Sequence, residues 1–187
     1  MNKSLKSIHS QFDKMEAKKK EIMDLLGSLT PEQTSQQPDP HTWSIRQVAN
    51  HLYLSERNSL VYLRKKLSYP DLVPRYSPKS WAGIGMIKLV YLFHFKIKAP
   101  ESINMWKAGM AMPYEELKLK WDELRRELIS FIEQQEPVFG RHLAFNHPFA
   151  GRMTMHQMLI FMNDHIRHHQ GQIKRIQRKL KMNLQSQ

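Results

Sequence analysis

The sequence predicts an all-α fold, a four-helix bundle with an elaborated connection between its second and third long helices. Apolar residues recur at helical spacing over four long stretches, and few runs alternate strictly between apolar and polar. Glycine is scarce, with 7 in 187 residues, so little of the chain is built for tight turns. Two of the four stretches also open on a recognisable capping box.

The first helix is expected from about Ser4 to Gly27, with Leu5, Ile8, Phe12, Met15, Ile22, Leu25 and Leu26 on its spacing. The breaker-rich LTPEQTSQQPDPHTW that follows reads as a loop. Ser44 to Gln47 is S-x-x-Q, in which the serine caps a free backbone N–H and the glutamine reaches back. Trp43 and Val48 stand at the positions of a hydrophobic staple. That second helix should run to about Leu67 on Ile45, Val48, Leu52, Leu63 and Leu67.

Residues 68–112 mix turns with an apolar run at 83–98, which is read as one more short helix on a connection lying across the bundle. The alternative for this segment is a dimer or membrane-surface contact, because it interleaves aromatics with lysines. The third long helix spans about Pro113 to Gln135, with Pro113 at its first position and Leu117, Trp121, Leu124, Leu128 and Phe131 or Ile132 as its stripe. EPVFGRHLAFNHPFAGRM reads as a loop. Thr154 to Gln157 is the second capping box, with Met153 and Met158 as staple, and its helix should reach about Met182. The whole, 1–187, is expected to be one domain.

Net charge is +12, spread along the chain, with modest clusters at 17–20, 64–66 and 174–181. A solvated surface explains it more simply than a nucleic-acid partner. The polar start resembles no signal peptide, and the 83–98 run is broken by Lys88, His94, Lys96 and Lys98 short of a bilayer span of about 20 residues. A cytoplasmic protein without a membrane partner is the expectation. Cysteine is absent, so any metal must be held by nitrogen and oxygen ligands.

Histidines point to where such a site would lie. Advancing about 100° per residue from Met158, residues Met162, Ile173, Ile176 and Leu180 define the core face of the fourth helix. His165 then falls at about −20° and His169 at about +20°, both inward, while His168 falls near −80° on the flank. Two inward imidazoles one turn apart either bond to neighbouring helices or converge on one ion. His51 on the second helix, beside its apolar stripe with Ser55 and Tyr62, is the best candidate for a third ligand. His9, His41, His94 and His142 sit in polar or loop contexts or lack a partner at ligand spacing, and His147 and His156 lie too near the start of the fourth helix.

WSIRQVANHL at 43–52 and HPFAGRMTMHQMLIFMNDHIRHHQGQI at 147–173 resemble the DinB/YfiT-like family of metal-binding four-helix bundles. The resemblance covers most of the chain outside 68–112. It implies a three-histidine divalent metal site made by His51, His165 and His169, zinc or nickel suiting nitrogen-only ligation best and iron, cobalt or copper next. It also implies an enzyme acting on a small molecule, either a metal-dependent hydrolase or an S-transferase of low-molecular-weight thiols.

Around such a site, Glu56 would orient a ligand or act as base unless it is held in a salt bridge. Asp164 or Gln172 could hydrogen-bond an imidazole N–H. Ser55 and Tyr62 would line the cavity mouth, and Trp43 would pack at the helix start. The competing readings are a non-catalytic metal-stabilised bundle and a basic protein gripping phosphates with Lys174, Arg175, Arg178, Lys179 and Lys181. A homodimer through an exposed apolar helix face is a further expectation.

Overall fold

The computed structural model describes residues 3–92 and 111–185. Four long helices, α1 (Lys3–Gly27), α3 (Ile45–Leu67), α5 (Tyr114–Gln134) and α6 (Met155–Gln185), enclose the core. Shorter helices α2 (Pro31–Ser35) and α4 (Ser80–Leu92) lie on the connections, and strands β1 (Phe145–His147) and β2 (Gly151–Met153) form an antiparallel hairpin before α6.

Side-chain pairs fix the helix directions that the sequence leaves open. Lys19 meets Asp122 and His9 meets Glu133, so α1 and α5 are antiparallel. Asn50 bonds the backbone of Met112, Glu56 binds Arg125 and Arg64 binds Glu127, so α3 and α5 run the same way. Gln11 bonds Asn163 and Glu21 bonds Gln170, so α1 and α6 run together. The order is therefore up-down-down-up, with α1 and α3 each packed on both α5 and α6. Parallel neighbours cannot be joined by a tight turn, so the chain between α3 and α5 must travel the length of the bundle. That geometry accounts for the long 68–112 connection.

Both expected capping boxes form. Ser44 Oγ accepts from Gln47 N at 3.2 Å and Gln47 Oε1 from Ser44 N at 2.8 Å. Thr154 and Gln157 repeat the exchange at 3.2 and 2.9 Å. Buried stripes follow the spacing: Ile8, Phe12 and Met15 on α1, Val48, Leu52 and Leu63 on α3, Leu117, Trp121 and Leu128 on α5, and Met158, Met162 and Ile173 on α6.

Two segments read as loops carry structure. Thr30 and Gln33 form a third capping box with Pro31 at the first helical position of α2, a helix of 5 residues that is too short to show a period. The stretch before α6 contains the hairpin, closed at Gly151, whose φ of 70° favours glycine. Its strands have 3 residues each, too few for alternation to register. Pro113 is the N-cap of α5 rather than its first residue, and α6 extends to Gln185.

Within 68–112, α4 lies across α6 and β2. Gly83 allows the close approach: a Cβ there would sit 2.0 Å from the Ala150 carbonyl oxygen. The rest of the apolar run, including His94, lies outside the described residues. No helix among the described residues is long and apolar enough to cross a membrane.

Candidate metal centre

His51 lies in the second turn of α3, and His165 and His169 lie one turn apart on α6. Because α3 and α6 are antiparallel neighbours, their inward faces put all three imidazoles at one level of the bundle. The Nε2 atoms of His51 and His165 are 3.4 Å apart, and those of His165 and His169 are 3.0 Å apart. The three ligand atoms all lie within 4.8 Å of one another. Nitrogens bound tetrahedrally to one zinc ion at about 2.0–2.1 Å are separated by roughly 3.3 Å. The His51–His165 and His165–His169 separations bracket that value, and a nitrogen-only donor set suits a transition ion.

The protonation states suit ligation. Burial pushes the His165 and His169 pKa values well below the usual imidazole range, and their neighbouring histidines push the same way. Both rings are neutral near neutral pH, the form that offers a lone pair. Gln172 Oε1 lies 2.7 Å from His169 Nδ1, so it accepts the Nδ1–H and leaves Nε2 unprotonated toward the cluster.

Aromatic rings hold the imidazoles in place. Trp43 sits 5.0 Å from His51 between centroids, so its packing at the helix start reaches the site itself. Phe161 stacks on His165 at 5.5 Å and 16°. Tyr91, arriving from α4, stacks on His168 at 4.5 Å and lies nearly parallel to His165 at 6.3 Å. His168 is outside the three-nitrogen cluster, as its flank position on the helix anticipates.

The other candidates stand elsewhere. Glu56 is 2 % exposed and turned about 140° around α3 from His51. Its carboxylate accepts from Arg125 Nε at 2.6 Å, Arg125 Nη2 at 2.7 Å and Trp121 Nε1 at 2.9 Å. It is the salt-bridged anchor between α3 and α5, and these contacts remove the motive for a base. Asp164 pairs with Arg167 at 2.6 Å and faces Lys88 at 3.9 Å, leaving the imidazole bond to Gln172. Ser55 returns its hydroxyl to the His51 carbonyl at 2.8 Å. Tyr62, three turns along α3, packs on Phe145 instead of a site mouth.

Among the remaining histidines, His147 Nδ1 accepts from the backbone of Phe149 and Ala150 in the hairpin turn, and burial pushes its pKa down to about 4. His9 pairs with Glu133 and His156 packs on Phe139. The sequence reading missed Phe161 and Tyr91. Phe161 could have been found, because it precedes His165 by one turn on the same face. Tyr91 could not, because only the path of the connection brings it there.

Comparisons with known proteins agree with this architecture. The uncharacterized protein YuaE of Bacillus subtilis is 25% identical over 161 residues, covering 86% of this chain and 93% of that one. The solved structure of YfiT from Bacillus subtilis, described as a probable metal-dependent hydrolase with an unusual four-helix bundle topology, superposes with a TM-score of 0.54 at 23% identity. It covers 97% of this chain and 90% of that one. The family model of the DinB superfamily matches residues 14–173, from the first half of α1 through all three clustered histidines and the Gln172 beside them, and the chain belongs to that superfamily.

Proposed function

We propose that His51, His165 and His169 bind a divalent transition ion, and that the protein is a metal-dependent enzyme acting on a small molecule, hydrolysis being the preferred reaction. The observation that carries this is the convergence of three imidazole Nε2 atoms with no carboxylate among the clustered ligands. Held by three nitrogens, the ion would keep an open position and supply Lewis acidity to a carbonyl, a water or a thiol there.

The chain's own residues do the rest. Gln172 fixes the tautomer of His169, and Phe161 and Trp43 restrict two of the rings, so the ligand directions are set before the ion arrives. Among the described residues no carboxylate belongs to the three-histidine cluster, so no ligand would neutralise the ion's charge toward an anionic nucleophile, whether hydroxide or thiolate.

The description of YfiT supports hydrolysis. Thiol transfer is the other reaction this electrostatics favours, since a chain without cysteine needs an external thiol. Zinc and nickel are the preferred ions. The test is elemental analysis of untagged protein, followed by turnover assays with esters, amides and thiol–electrophile pairs. One equivalent of metal and metal-dependent release of product in one panel are expected. Protein that neither retains nor takes up a divalent ion sinks the reading.

A further inference from the structure

We propose that the outward face of α4 docks on an anionic lipid surface. An ordinary surface helix is apolar on one stripe and polar on the other. In α4, Ile84 and Ile87 are buried, yet the opposite side presents Trp81, Ala82, Gly85, Met86 and Leu89, all exposed. Trp81 is 42 % exposed, Met86 44 % and Leu89 55 %. At the hairpin tip, held against α4 where Ala150 meets Gly83, Phe149 adds another exposed ring at 49 %. A helix apolar on both sides with one side in water is built to be covered.

Charge selects the cover. Among the described residues from Leu72 to Leu92 there are three basic side chains, Arg75, Lys79 and Lys88, and no acidic one. Lys79 precedes the helix, and Lys88, its side chain 53 % exposed, stands on the flank toward α6, where Asp164 lies 3.9 Å away. Exposed Arg152 lies on the hairpin strand that packs against α4. A second copy related by a twofold axis would set this basic rim against itself, in a chain already carrying +12. Anionic headgroups complement it, with apolar side chains entering the acyl boundary and lysine stems reaching to phosphate. Tyr91 ties the same helix to the histidine cluster, so docking would present the bundle with α4 toward the bilayer.

The test is co-sedimentation of the full-length chain with vesicles of phosphatidylcholine alone and of equimolar phosphatidylcholine and phosphatidylglycerol. Binding is expected only to the anionic vesicles, weakening with salt. Each of Lys79→Gln and Lys88→Gln should weaken it about fivefold. Met86→Ser/Leu89→Ser should abolish it, with circular dichroism showing the bundle intact. Arg178→Gln/Lys181→Gln on the basic end of α6 serves as the control for unspecific attraction. Four results would overturn the proposal: no binding, equal binding to neutral vesicles, an equal loss in the α6 control, or a concentration-dependent dimer dispersed by the Met86/Leu89 variant.

Discussion

Gln172 Oε1 accepts the Nδ1–H of His169 across 2.7 Å, and this one contact decides which nitrogen of that ring faces His51 and His165. A freely rotating imidazole would divide its time between tautomers and orientations. Gln172→Leu removes the acceptor while keeping bulk. Metal affinity should fall about 10–100-fold, read by competition with a chromogenic chelator. Gln172→Glu retains an acceptor and should lose less than about tenfold. Unchanged affinity in the leucine variant would contradict the orienting role.

The ligands themselves separate from their neighbour. His165→Ala or His169→Ala should abolish stoichiometric metal, and His51→Ala likewise, because two nitrogens alone leave the ion weakly held. His168→Ala removes the ring stacked on Tyr91 but none of the clustered nitrogens, so it should retain about one equivalent. Inductively coupled plasma analysis of the four variants decides it; equal metal content in all would defeat the assignment.

This contrast was legible before the structure because α6 is long and amphipathic, so angular position alone separates 165 and 169 from 168. The caps of α3 and α6 were legible too, since capping is a local hydrogen-bond exchange written in four residues. His51 is nearly buried at 4 % exposed, and its place beside the α3 stripe understated this. Burial there depends on which helix lies opposite, a fact of topology. The same holds for Glu56, whose two partners Trp121 and Arg125 lie on a helix more than 60 residues away in sequence. The hairpin and α2 escaped because each has too few residues for a period.

Acid should destabilise the metal-free protein through its buried rings. The folded-state pKa values of His165 and His169 lie well below the reference of 6.5, and that of His147 lies at about 4. Below about pH 6.5 the unfolded chain therefore binds more protons than the folded one. Stability is fully present above that value and is lost as pH falls toward the folded pKa values. The melting temperature should drop between about pH 7 and about pH 5, and bound metal should be released over the same range as protons compete for Nε2. A melting temperature flat across that range would contradict the burial of neutral histidines.

The Glu56–Arg125 pair separates structure from chemistry. Both side chains are nearly buried, at 3 % and 4 % exposed, and Glu16 offers Arg125 only one further contact, at 3.1 Å. Glu56→Ala would strand a guanidinium and the Trp121 N–H in the core, and removing one member of a buried pair costs about 3–5 kcal/mol. The remaining Glu16 contact places the expected loss near about 3 kcal/mol. Metal stoichiometry in the folded fraction should be unchanged, because the carboxylate is turned away from His51. Glu56→Gln keeps an acceptor for Trp121 and should cost less. Once a substrate is found, Glu56→Gln should also preserve its turnover at temperatures where the variant is folded. Urea titration measures the first effect and steady-state rates the second; a variant that folds well but loses turnover would return Glu56 to the chemistry.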